Sequence, residues 1–137
     1  MFRRTLISTA LAAVALATPA ASAAQPSGVE GVWRNPKNSV HIRIQPCGEH
    51  LCGYVVWATE DAKEDARKGG TANLVGSQLL RNFSPSKSGS WRGRVFVPDL
   101  NATFSGSAQL VDENTLRARG CLIAGLGCKS QNWKRIS

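Results

Sequence analysis

The sequence contains few of the side chains that carry out acid–base, nucleophilic or metal chemistry. It has two histidines, one tyrosine and nine carboxylates, and six of those carboxylates stand in adjacent, solvated pairs. It lacks a Gly-x-Ser-x-Gly elbow, a Walker-type phosphate loop and a His-Glu-x-x-His helix. These absences argue against the common hydrolase, nucleotide-binding and metalloprotease classes. We therefore expect no catalytic residues and no cofactor.

Long apolar runs are absent after the N-terminus. Residues 6–17 form an apolar core that follows Arg3 and Arg4 and precedes the small residues 21–23, which is the order of a secretory signal peptide. The core has about a dozen residues, fewer than the roughly 20 that cross a bilayer as a helix. We expect residues 1–23 to be a signal peptide cleaved after Ala23, with an uncleaved anchor as the less favoured alternative. Residues 24–137 then form one periplasmic or secreted domain without a transmembrane segment.

The expected mature chain is basic, but its charges are scattered. Without Arg3 and Arg4 it has 15 basic and 9 acidic residues, a net charge of +6. No run of bases exceeds two residues, whereas nucleic-acid binders usually concentrate charge on one face with aromatic residues between. Together with export, this argues against nucleic acid as a partner. It favours solubility, or attraction to an anionic component of the cell envelope.

The mature chain contains four cysteines, Cys47, Cys52, Cys121 and Cys128. An even number in a small exported domain predicts disulfides. Of the three possible connectivities we favour the two local pairs, because each pair brackets a glycine-containing turn. Each would stabilise the fold by about 2–2.5 kcal/mol. Zinc binding by Cys47, His50 and Cys52 is the alternative, but that set is one ligand short and oxidation removes its thiolates, so we expect no metal.

The hydrophobic pattern of the mature chain is that of β-strands. Apolar residues alternate with polar ones across residues 40–44, and residues 53–57, after a turn, complete a hairpin. Further strands are predicted at residues 31–34, in part of 74–83, and at 91–97, 103–111, 115–121 and 131–136. About eight short strands predict an all-β fold, a small antiparallel up-and-down barrel or a strongly curved sheet.

Residues 59–68 are the one helix-like stretch, and they lack an apolar stripe. We expect a solvated turn of helix or a loop there. The side chains predicted to line the barrel interior on one phase are Val40, Ile42, Ile44, Tyr54 and Val56.

The four tryptophans fall in four different predicted strands. A core position is favoured for Trp33 and Trp133, because aromatic side chains bury large apolar areas. Tyr54, Trp57 and Trp91 are as well suited to lining a cavity as to filling a core. The candidate ligand contacts are Tyr54, Trp57, Trp91 and Phe104.

The segment Gly31-Val32-Trp33 resembles the opening of lipocalin-like barrels. In those barrels a basic residue of the last strand packs on the indole, and Arg135 is the matching residue here. A guanidinium over a tryptophan face is a favourable cation–π contact that also closes one end of a barrel.

The mature chain as a whole resembles the secreted bacterial family called domain of unknown function 2147, from about Gly28 to Arg135. Two segments depart from the family: residues 61–73 lack its prolines, and residues 99–104 lack its usual tyrosine. The resemblance implies export and a lipocalin-like β fold, and it implies no activity. The segments that carry it are 31–33, 47–53, 57, 74–76, 79–80, 91–95, 98–99, 119–122 and 131–135.

These observations favour a noncatalytic binding domain for a small apolar or amphipathic molecule, or for an anionic envelope component. One alternative is a structural or stress-related periplasmic interaction protein that uses its basic exterior. Another is a small hydrolase or isomerase with a site that no motif reveals. A lumen of a few hundred cubic ångströms would favour ligand binding, and a filled interior would favour surface interaction.

Overall fold

The computed structural model describes Ala10 and residues 12–18, 28–123 and 126–137. Most of the predicted signal peptide and its cleavage point lie outside these residues. Residues 12–18 are neither helix nor strand, and Val14 and Leu16 are 82% and 90% exposed. This stretch therefore contributes nothing to the core. In the described part of the chain, no helix has the length and apolar character needed to cross a membrane.

Within the described residues, eight antiparallel strands, each paired with the next, form a closed barrel. The last strand returns to the first through two residue pairs, Trp33–Arg135 and Arg34–Lys134. The predicted all-β up-and-down barrel is confirmed, closed rather than merely curved. The strands are β1 Gly31–Arg34, β2 Val40–Cys47, β3 His50–Ala58, β4 Gln78–Pro85, β5 Trp91–Val97, β6 Ala102–Asp112, β7 Thr115–Ile123 and β8 Leu126–Arg135.

Between β3 and β4 the chain forms the helix α1, Glu60–Lys68. The Thr59 hydroxyl caps its start by accepting the Ala62 N–H at 3.2 Å, which satisfies one of the free donors of the first turn. The sequence predicts only a helical turn or a loop here, because an apolar stripe is missing. Two alanines supply the packing instead: Ala66 is 0% exposed and belongs to the core, and half-buried Ala62 packs against that core. A short 3₁₀ turn, Lys87–Gly89, joins β4 to β5.

The register of the β2–β3 hairpin decides which side chains face inward. Ile42 is paired with Val55, and outward-facing Arg43 is paired with Tyr54. The predicted inward phase of β2 is confirmed, but placing Tyr54 and Val56 on it is wrong. Val55 is 1% exposed and Val56 is 41% exposed. The register shift between His41 and Ile42 leaves Val56 without a register partner on β2, while Tyr54 lies on the turn side of the shift.

The core lies mainly against the first half of the barrel. Of the 14 buried core residues among the described side chains, twelve precede residue 84, and β5 to β8 supply Ala108 and Leu116 alone. The others are Val29, Trp33, Ile42, Ile44, Leu51, Val55, Ala58, Ala66, Leu74, Leu79, Leu80 and Phe83.

Two disulfides fasten hairpins at opposite ends of the barrel. Cys47 and Cys52 are bonded across β2 and β3 at an S–S distance of 2.05 Å, and Cys121 and Cys128 across β7 and β8 at 2.08 Å. The predicted local pairing is confirmed.

Trp33 and Arg135 close the end of the barrel where β1 begins. The indole is 0% exposed and its Nε1–H donates to the Val29 carbonyl at 2.9 Å. The Arg135 guanidinium carbon lies 4.3 Å from the ring centroid, the contact that the sequence predicts. The guanidinium also donates to the backbone carbonyls of Glu30 at 2.8 Å and Glu113 at 2.9 Å. It thereby ties three separate segments over the tryptophan.

Candidate functional site

Two of the four candidate ligand contacts lie on the outer wall of β3. The Tyr54 hydroxyl lies 3.6 Å from the Cys47 Sγ. Trp57 is 43% exposed and stacks on His41, with ring centroids 4.4 Å apart. Burial, and then the charge of Arg34, lowers the pKa of His41, which favours the uncharged form of the ring that stacks on the indole.

The other two candidate contacts, Trp91 and Phe104, face inward at different heights of the barrel. Trp91 is paired with Ala108, and Phe104 with Val95. Ala108 and Phe104 are four residues apart along β6, which at the rise of a strand is about 13 Å. The four aromatic residues therefore do not line one site, and their part in binding stays a prediction.

The inward-facing wall of the second half of the barrel contains a row of glycines. Gly93, Gly106 and Gly120 are register partners across β5, β6 and β7. A Cβ on Gly93 would lie 2.6 Å from the Phe83 ring, and one on Gly106 would collide with Val95. A Cβ on Gly120 would meet nothing within 4 Å. The wall thus passes from a packed surface at β5 to free space at β7.

Strand β8 continues this wall with Lys129, Gln131 and Trp133, which are paired with inward-facing residues of β7. Lys129 and Gln131 are exposed, and Trp133 is half-buried against the core. The Trp133 Nε1–H donates to the Gln131 Oε1 at 3.2 Å. Inward-facing residues of a filled small barrel are buried, so the exposure of these two polar residues shows that the lumen reaches solvent along β8.

The short first strand explains this opening. Because β1 has four residues and meets β8 only at Arg135 and Lys134, residues 126–133 of β8 have no strand partner on that side within the described chain. We call the resulting gap the side opening; it is bordered by Gly120, Lys129, Gln131 and Trp133. It combines an indole surface, free space and one ammonium group.

His50 and Ser84 form a pair that sequence analysis does not find, since they are 34 residues apart. The His50 Nδ1 lies 2.7 Å from the Ser84 Oγ, which is the spacing of a base and a nucleophile. A serine triad also needs an acid that orients the imidazole. No described acid makes a hydrogen bond or ion pair with His50, and both residues lie at the surface. The geometry therefore gives the hydrolase alternative little support.

The structure contradicts zinc binding by Cys47, His50 and Cys52, because the two cysteines are not free thiols. Cys47 and Cys52 are joined to each other, and in the described part of the chain no three His, Cys, Asp or Glu side chains are grouped as metal ligands would be.

A closed eight-stranded barrel with a first-strand tryptophan under a last-strand arginine is a lipocalin-like fold. The structure resembles a lipocalin-family protein from the human pathogen Helicobacter pylori, with a TM-score of 0.63 and 13% identity over 80% of this chain and 83% of that chain. At that identity the likeness shows the fold alone. The chain belongs to the family described as "Uncharacterized protein conserved in bacteria" (DUF2147), whose model matches residues 31–135. No curated protein matches the sequence.

Proposed function

We propose that this protein is an exported, noncatalytic binding domain that takes a small amphipathic molecule with an anionic group into its side opening. The observation that carries the proposal is the exposure of the inward-facing residues Lys129 and Gln131 beside half-buried Trp133. Eight-stranded barrels of this size either fill their interior or hold one small ligand. Here the first half is filled, so the ligand would lie against β7 and β8.

The chemistry of the side opening sets the class of ligand. The indole of Trp133 and the space above Gly120 suit an alkyl chain or a ring. Lys129 has three N–H donors and a positive charge for a carboxylate or phosphate, and the Gln131 amide can bind a neutral polar group. An uncharged apolar molecule would leave Lys129 without a partner, which is why we favour an amphipathic anion.

Export is part of the same proposal. Two disulfides are typical of proteins that fold in an oxidising compartment, and the N-terminal 23 residues have the order of a signal peptide. An amphipathic ligand is most plentiful at the membranes that border that compartment.

Binding of a fluorescent long-chain fatty acid, compared with the corresponding alcohol, tests the proposal. Gly120→Leu should fill the free space and weaken binding of both probes at least tenfold. Its backbone φ is outside the left-handed region and a Cβ meets no neighbour, so the fold should tolerate it. Ser105→Leu, which places the same leucine side chain on the outer face of β6, is the matched control and should bind like the wild type.

Lys129→Gln separates the two parts of the predicted ligand. It should weaken binding of the acid and leave binding of the alcohol unchanged. Equal binding by wild type and Gly120→Leu would refute the side opening as the site. The same holds if the wild type binds neither probe and native mass spectrometry of protein isolated from its own envelope shows no bound small molecule.

A further inference from the structure

The outer wall of the second half of the barrel is basic. Arg92 and Arg94 on β5, and Arg117 and Arg119 on β7, are all exposed. Their register partners on β6 include Ser105 and Ser107, on the outward-facing phase opposite buried Ala108. We call this surface the arginine face.

The pairing of the strands places guanidinium groups on both sides of a serine. Arg92, Ser107, Arg119 and Ser130 form one row across β5 to β8. Neighbouring strands are about 4.8 Å apart, so the Cα atoms of Arg92 and Arg119 lie about 10 Å from each other. The long side chains therefore flank a floor of hydroxyl groups.

This arrangement forms an open depression of about 470 Å³ on the arginine face. A second depression of about 530 Å³ continues it from Arg92 and Ser90 to Lys87 and Ser86. The side chains that line the first one include Ser90, Arg92, Ser107, Arg117, Arg119 and Ser130.

The arginine face has no internal counter-charge. The ion pairs of the described residues, Lys63–Glu60 and Arg67–Glu64, both lie in α1. The sequence has no Asp or Glu at residues 66–98, 100–111 or 114–137. Strands β5 to β8 therefore contain one carboxylate, that of Asp112 at the end of β6. Like charges gathered on one face repel one another, and solubility is served as well by mixed charges. The cluster therefore indicates an anionic partner.

The chemistry of the face favours phosphate groups on a surface over a sugar polymer. Arginine donates two parallel N–H bonds to a phosphate, and the serines add hydroxyl donors. Phe96, the aromatic residue on the outward phase of β5, lies under the Arg81 guanidinium at 4.6 Å and offers no open ring to a sugar. The bases extend from Lys87 to Arg117, farther than one phosphate reaches, so several phosphates are needed to engage them.

We infer that the arginine face docks the protein on a bilayer rich in anionic phospholipid headgroups, through charge alone and without insertion of side chains. The inference is independent of the ligand in the side opening. It has one consequence for that ligand: β8 borders both surfaces, with Ser130 outward and Lys129 inward, so docking would bring the side opening next to the lipid.

Sedimentation with vesicles tests the inference. The purified protein should bind vesicles of phosphatidylglycerol mixed with phosphatidylcholine, should not bind pure phosphatidylcholine, and should dissociate as salt is added. Each arginine contributes roughly a fivefold gain in affinity at an anionic surface, so Arg92→Gln/Arg119→Gln should bind about 25-fold more weakly. Lys37→Gln/Arg43→Gln is the matched control, since it removes the same charge from exposed positions elsewhere and should change affinity less than threefold.

The outcomes that overturn the inference are distinct from those for the side opening. Equal losses in the two double variants would show net charge acting without a face, and binding of inorganic phosphate without binding of vesicles would show an ion site rather than a docking surface. Gly120→Leu should bind the vesicles like the wild type, so a protein that fails the fatty-acid assay can still pass this one. Unchanged thermal unfolding of Arg92→Gln/Arg119→Gln establishes that the fold is intact.

Discussion

The two halves of the barrel use the same strand geometry with different side chains. Strands β1 to β4 place Trp33, Val55 and Phe83 inside, each at most 2% exposed. Strands β5 to β8 place a row of glycines inside and four arginines outside. The first half therefore holds the fold together, while the second half is left free to present polar and charged groups. If this division is right, the effects of substitutions on stability and on binding should fall in different halves.

The largest expected effect is a loss of stability in the packed half, at the end of the barrel where β1 begins. Trp33→Ala removes a fully buried indole and the surface under Arg135, and should reduce the free energy of unfolding by about 3–5 kcal/mol or abolish folding. Trp133→Ala, a half-buried indole in the open half, should cost less than half as much. Denaturant titration of both variants gives the comparison. A loss below about 1 kcal/mol for Trp33→Ala would mean that the hydrogen bonds of Arg135, not the buried indole, close this end of the barrel.

Removing each disulfide compares the halves at their hairpins. In the chain-entropy model either pair contributes about 2–2.5 kcal/mol. Cys52 is 3% exposed, whereas Cys121 is half-buried, so serine at Cys52 also buries a hydroxyl group. Replacing both cysteines of the first pair by serine should therefore cost more than replacing those of the second.

Thiol labelling of the unfolded, unreduced protein checks the premise of that comparison. It should find no reactive group, because all four cysteines are bonded in the structure. Two or more labelled thiols would show that at least one of the two disulfides does not form in the protein.

Two neighbouring valines test the boundary between inside and outside. Val55→Ala removes about two methylene equivalents from the core and should cost about 2 kcal/mol. Val56→Ala, on the outer wall, should cost less than about 0.5 kcal/mol. Thermal or denaturant unfolding distinguishes them, and similar losses would contradict the register of the β2–β3 hairpin.

Val55 and Val56 also show how much of the fold can be predicted from the sequence. Alternation correctly predicts the strands and the inward phase of β2, and the glycine-containing turns correctly predict the local disulfides, because each depends on neighbours along the chain. It misses the phase of β3, since the turn sets which residues of β2 and β3 are paired, and pairing one residue away places every side chain of β3 on the other face. The side opening and the arginine face lie further out of reach. They depend on how β1 meets β8, and on which residues of β5 and β7 stand side by side, and no single strand contains that information.

The smallest effect concerns two carboxylates that respond to folding in opposite directions. Burial, and then the charge of Asp65, raises the pKa of Asp99 above its ordinary value of 3.8. The ionised Asp99 therefore costs the folded state some stability at neutral pH, and that cost disappears as the pH falls through the raised pKa. Asp99→Asn should raise the melting temperature slightly at pH 7 and leave it unchanged near pH 3.

Asp112, at the other end of the barrel, has a pKa shift of the opposite sign and therefore the opposite effect on stability. The Asn114 N–H donates to its Oδ1 at 2.9 Å, and this bond lowers the pKa of Asp112 below 3.8. Its stabilising contribution is present above the unfolded value and is lost as the pH falls through the folded one. Asp112→Asn should therefore lower the melting temperature at pH 7, with a difference that shrinks on acidification. Since both side chains are largely exposed, solvent screening keeps both shifts small. Shifts of the same sign in the two variants would mean that net charge, not local contacts, sets the response to pH.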